Sequence, residues 1–149
     1  DETVKLLQKE GIKEGLVNAG GDIRVFGQKS YRIAIRHPFK PVGVGFIRPE
    51  NNGRHKCRPY KIITVKNKAV CTSGVYEKPG HIRNPKTGEP ISNSLQSVTV
   101  IAPDAITADA LATAVMVMGR KKGEKLLQKL NFSYFLIDAE GKVTTNMSF

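Results

Sequence analysis

Asp109 and Thr113 stand four residues apart in a stretch otherwise built from Ala, Leu, Val and Met. At i and i+4 of a helix, two side chains point the same way. A helix that is apolar on every side is expected to be buried. A carboxylate there must be paired, hydrogen-bonded or bound to a metal. Carboxylate and hydroxyl oxygens are hard ligands suited to Mg²⁺, which completes its shell with water and substrate phosphates. The plainer alternative is that Asp109 merely caps the first turn of a helix started by Thr107 or Asp104.

Two further constellations carry chemistry. Thr72-Ser73-Gly74-Val75-Tyr76 precedes His81-Ile82-Arg83-Asn84-Pro85-Lys86-Thr87-Gly88. Small residues let backbone N–H groups approach a ligand and hold phosphate. His81 is able to act as acid or base near neutral pH. The bland reading is a surface loop with an ordinary turn and a solvated histidine. Asn18-Ala19-Gly20-Gly21-Asp22 marks either a tight hairpin turn or a close backbone approach to a ligand. Neither G-x-G-x-x-G nor a Walker phosphate loop occurs.

The elements that must position these residues are read from periodicity. Thr3 to Glu10 reads as the end of a helix, with Val4, Leu6 and Leu7 as its apolar stripe and Gly11 as its stop. Strands are expected at Leu16 to Ala19, Ile23 to Phe26 and Tyr31 to Arg36. Further strands are expected at Val42 to Ile47, Ile62 to Val65, Ala69 to Thr72 and Ser97 to Ala102. Ser73 to Asn93 reads as a long loop without periodicity, of the kind that is usually functional or disordered. Pro103 to Gly119 is the strongest helix, with Thr107 as N-cap. A second helix is expected over Gly123 to Leu130, with Leu126, Leu127 and Leu130 inward. Phe132 to Ile137 and Lys142 to Asn146 should close as a hairpin. The expectation is one α+β unit over residues 1–149, with a mixed, mostly antiparallel sheet and helices packed on one side.

The 149 residues are 40% hydrophobic and 25% charged. That composition excludes global disorder, and no apolar run reaches the roughly 20 residues of a spanning helix. The net charge of +11 favours anionic partners. Lys121, Lys122, Lys125 and Lys129 would decorate one helix, and Arg48, Arg54, His55, Lys56 and Arg58 cluster in a loop. Neither set matches a base-reading helix, and with Trp absent and aromatics at 7% no nucleic-acid partner is expected. Cys57 and Cys71 allow one disulfide or none. The chain opens on Asp1-Glu2-Thr3 with Met116 as its first methionine, which reads as a processed product or fragment.

In order along nearly the whole chain, these segments resemble the C-terminal half of the FAD:protein FMN transferase (ApbE) family. Gly15 to Ile23 resembles its central glycine motif, and Ala69 to Tyr76 its Ala-Val-x-Thr-Ser-Gly-x-Tyr segment. His81 to Gly88 resembles its His-Ile-x-Asp-Pro-x-Thr-Gly motif. Ser97 to Val100 with Ala108 to Ala114 resembles its strand and metal helix.

The resemblance implies a T-fold-like architecture. It also implies Mg-dependent transfer of the FMN half of FAD to a Ser or Thr hydroxyl of an acceptor flavoprotein. By it, Asp109 and Thr113 are metal ligands and His81 is the general base. Gly20, Gly21, Asp22, Thr72, Ser73, Gly74, Tyr76 and Asn84 lie by the flavin nucleotide. Asn84 stands where the family more often has Asp, and an amide neither takes a proton nor carries a full charge. The family's upstream half would supply a metal-binding carbonyl and further flavin contacts. These residues alone are therefore expected to bind Mg·FAD weakly. A periplasmic or outer-face, membrane-anchored location is the family expectation. The other readings are a flavin-nucleotide-binding protein without transfer and a basic nucleic-acid-binding domain.

Overall fold

In the computed structural model, which describes residues 1–36, 38, 61–76 and 79–147, the apolar runs become strands of one main sheet. The order is α1 (Glu2–Lys9), β1 (Gly15–Ala19), β2 (Asp22–Phe26), β3 (Ser30–Ile35), β4 (Lys61–Lys66), β5 (Ala69–Gly74) and β6 (Leu95–Ala102). It continues with α2 (Ala105–Met118), α3 (Arg120–Lys129), β7 (Ser133–Asp138) and β8 (Val143–Thr145). Six strands pair in the order β1-β2-β5-β6-β7-β8, and β3 and β4 form a second, two-stranded sheet. Every pairing is antiparallel. The expected strand at 42–47, the basic cluster at 48–58 and Cys57 lie outside the described residues.

Successive residues of a strand face opposite sides of the sheet, and β6 uses both. Val98 and Val100 pack with Tyr134 and Leu136 against Val115 and Met116 of α2 and Leu127 of α3. Ile101 joins Val25, Val70 and Phe135 against Ile33, Ile63 and Val65 of the smaller sheet. Helices therefore cover one face and the β3–β4 pair the other. The turn after β4, where Asn67 takes φ 46°, does not make a hairpin with β5. It carries the chain from one sheet to the other.

The helix ends differ from expectation. The N-cap of α2 is Asp104, whose Oδ1 accepts the Thr107 N–H at 2.8 Å, so Thr107 is a helical residue. The Asp1 carboxylate accepts the Ala105 N–H at 3.0 Å and the Ile106 N–H at 3.1 Å. Arg24 Nε lies 3.4 Å from the same carboxylate. The first three N–H groups of α2 are thus all satisfied, two of them by a residue from the far end of the sequence.

Helix α3 begins at Arg120, three residues before the expected Gly123, because Gly119 at φ 75° turns the chain in a single residue. Gly123 is instead a contact: a Cβ there would lie 2.4 Å from Val115 Cγ1. Leu130 was expected inward but is 44% exposed, since the helix ends before it and it leaves the buried face. In α1, Val4 alone is buried and Leu6 is exposed.

Candidate active site

Five pieces of chain converge on one cleft of about 490 Å³: the β1–β2 turn, the end of β5, Tyr76, the loop around His81, and α2. The turn is a two-residue hairpin closed by the Ala19–Asp22 pair. Gly20 and Gly21 take φ 64° and 114°, which a turn of this kind demands and only glycine adopts freely. The Gly21 N–H donates to Asn18 Oδ1 at 2.9 Å. Gly20 and Asp22 line the cleft, whereas Gly21 stays in the turn outside its wall.

The end of β5 supplies Thr72, Ser73 and Gly74. Thr72 and Thr99 share a hydroxyl hydrogen bond of 2.9 Å across the β5–β6 pairing. Ser73 Oγ and Thr113 Oγ1 share another of 2.9 Å, which ties the strand to α2. Tyr76 folds back so closely that a Cβ on Gly74 would lie 2.5 Å from its Cε1. The Arg36 guanidinium sits 5.7 Å from the Tyr76 ring centroid, at cation–π distance.

Asp109 and Thr113 both face the cleft, but the expected burial of this helix is overturned: both are exposed. Only one side of α2, with Ala108, Ala112, Val115 and Met116, packs on the sheet. The small alanines of the open side are apolar without being buried. His81 is exposed in a loop and lines the same cleft, as do Ile82, Arg83 and Val117.

Asn84 does not reach the cleft wall. Its Oδ1 accepts the Lys86 N–H at 2.9 Å, and its backbone pairs with Glu89 and Gly88. The stretch expected to be without structure therefore contains a small turn, closed by a bridge between Arg83 and Pro90. Pro85 and Gly88, the latter at φ 73°, make that turn tight.

Charge is concentrated beside Cys71. Burial raises the Asp22 carboxyl above its ordinary value, a hydrogen bond from Cys71 opposes this, and the charge of Asp109 adds to the rise. Burial pushes the Cys71 thiol up to about 12, with Asp22 and then Asp109 contributing. The Asp22 carboxyl thus feels both a buried thiol and the charge of Asp109. Among the described residues, no group of three or more His, Cys, Asp or Glu is placed to hold a metal ion. Side-chain oxygens on the cleft come from Asp22, Thr72, Ser73, Tyr76, Asp109 and Thr113, the Ser73 and Thr113 hydroxyls being bonded to each other. The Asp22–Cys71 neighbourhood was legible only through strand alternation, which puts Cys71 and Ser73 on the face that meets α2.

Residues 1–136 match the model of the ApbE family. The FAD:protein FMN transferase of Salmonella typhimurium is 30% identical over 95% of this chain and 40% of its own length. That of Vibrio cholerae is 36% identical over 83% of this chain and 36% of its own length. The solved flavin transferase ApbE from Vibrio cholerae superposes with a TM-score of 0.77 at 32% identity, over all of this chain and 47% of that one. The apo flavinyl transferase ApbE of Pseudomonas stutzeri gives 0.75 at 29% identity, over 97% and 44%. The chain spans less than half the length of these relatives. The motifs, the order of strands around the cleft and the family match agree: this chain belongs to the ApbE family.

Proposed function

We propose that this chain forms part of an FAD:protein FMN transferase, which moves the FMN half of FAD to a Ser or Thr hydroxyl of an acceptor protein. The observation that carries the reading is the meeting of Asp22, Asp109, Thr113 and His81 on one cleft. Gly20 of the glycine turn and the Thr72–Gly74 segment line the same wall, and their small size lets a phosphate approach the backbone. In this reading the acceptor oxygen forms a bond to the FMN phosphorus as the bond to the departing AMP breaks. His81 takes the hydroxyl proton, and alignment of the two reacting groups supplies much of the acceleration.

Mg²⁺ fits the donor set. The charge of Asp109 disfavours ionisation of the Asp22 carboxyl, and a bound cation relieves that cost. With the Thr113 hydroxyl the two carboxylates offer hard oxygens, and Mg²⁺ accepts few protein ligands when substrate phosphates complete its shell. Bound there, it would neutralise charge developing on the pyrophosphate. Arg83 donates to the Gly88 carbonyl at 2.9 Å, so it braces the loop that presents His81.

The test is incubation of the intact protein with FAD, Mg²⁺ and a peptide carrying the target Ser or Thr, read by in-gel flavin fluorescence. Covalent flavin on the peptide and release of AMP in equal amount support the reading. FAD binding without labelling under these conditions would favour a flavin-nucleotide-binding protein.

A further inference from the structure

We infer that a second cavity, next to the catalytic cleft, is the seat of the acceptor segment; the inference rests on the transferase reading. This cavity holds about 370 Å³ and shares Tyr76 and Ile82 with the cleft. His81 lines the cleft while its chain neighbours Gly80 and Ile82 line the second cavity. The partition between the two spaces is therefore the segment that carries the candidate base.

The two spaces differ in chemistry. The cleft presents Asp22, His81, Arg83 and Asp109, groups suited to a nucleotide and a cation. Among the described residues that line the second cavity, none is charged. Val75, Ile82, Ile91 and Leu95 give it apolar walls, and Asn93 and Gln96 supply amides. Asn93 is engaged within the protein: its Nδ2 donates to the Met116 carbonyl at 2.7 Å and its Oδ1 accepts the Leu95 N–H at 2.9 Å.

Gln96 differs. It sits at the register shift between Leu95 and Ser97, as the extra residue of a β-bulge in β6. Bulges re-aim a side chain beside active sites. Its carbonyl accepts the Val75 N–H at 3.1 Å, and the half-buried residue lines the cavity. An amide set among apolar walls pairs with a peptide backbone, which offers both a donor and an acceptor. A space near the lower end of ligand-pocket sizes suits a few residues of extended chain and is small for a dinucleotide. The occupant is thus a peptide segment whose Ser or Thr reaches past Tyr76 to His81.

The experiment measures acceptor-peptide KM, kcat and FAD affinity for the intact protein and for Gln96→Ala and Ile91→Trp. Gln96→Ala should raise the peptide KM about tenfold, the loss expected from one hydrogen bond to a partner in an apolar site. Ile91→Trp, which fills the cavity, should raise it further. FAD affinity should change less than about twofold in both, since the cleft walls are untouched. A photo-crosslinking residue at Gln96 should capture the peptide, which needs no turnover and no stability comparison. Unchanged KM in Gln96→Ala with no crosslink would overturn the proposal, as would a loss of FAD affinity in place of the KM effect. Absence of labelling by the unmodified protein would instead strike at the transferase reading.

Discussion

The two walls of the cleft are built on opposite plans. One is α2, whose first turn is closed by Asp104 and Asp1 and whose last turn is held by Asn93 on the Met116 carbonyl. Its inner side touches β5, β6 and α3 through residues with no solvent exposure. The other wall is the 79–94 loop, which has one isolated bridge, an Asn84 turn and a single buried apolar residue, Ile82. In the proposed transferase, Asp109 and Thr113 come from the first wall and His81 from the second. The better-packed wall would then hold the ligand set, and the sparsely packed one would meet the acceptor peptide.

Substitutions test that division. Asp109→Ala should lower Mg-dependent transfer by at least about 10²–10³-fold, the size seen when a preorganised electrostatic partner is lost. Its unfolding midpoint should hardly move, because the side chain is exposed. Asp104→Ala should do the reverse, costing about 1 kcal/mol of stability through a lost cap and leaving the chemical step intact. Labelling assays paired with urea melts separate the two.

His81→Ala should lower kcat by about 10²-fold or more while FAD affinity holds, as a base acts in the transition state. Equal loss of both would make His81 a binding residue and erase the contrast between the walls. Gly123→Val should cost about 1–3 kcal/mol, since its Cβ would strike Val115 where α3 meets α2. The melt should show that loss together with weaker Mg²⁺ binding, if α2 is the rigid wall.

The smallest effects are in pH dependence, and the two aspartates have opposite signs. The Thr107 backbone N–H and then its hydroxyl hold the Asp104 carboxyl below its ordinary value. Its stabilisation is present above the ordinary aspartate range and is lost as pH falls through the folded value. Asp22 is raised, so the folded state loses stability as pH rises from the ordinary range through its folded value. In metal-free buffer, Asp104→Ala should flatten the acid limb of Tm against pH, and Asp22→Asn should raise Tm near neutrality.

Much of the fold was legible because apolar alternation and turn residues act locally. The β1–β2 hairpin, β3, β6 and the closing β7–β8 pair fall where the sequence puts them. What it does not carry is distance. Asp1 accepts two N–H groups of a helix more than a hundred residues away, and no local signal announces that contact. The β4–β5 turn resembles a hairpin turn, yet the strands enter different sheets because their apolar faces find different partners. Gly123 was expected at the start of α3 and is a helix contact by packing. At the site, the i, i+4 pair and the histidine loop were visible as motifs. The exposure of Asp109 was not, since an alanine-rich stretch says nothing about which side meets the sheet.

Cys71 has no solvent exposure and a thiol pushed up to about 12. At neutral pH only on the order of one part in 10⁵ is thiolate, the form that reacts with alkylating reagents. With Cys57→Ser removing the other thiol, modification of Cys71 becomes a clock for the parting of β5 from α2. The same chemistry times, without any flavin, how often the floor of the cleft opens and how much a bound nucleotide slows it.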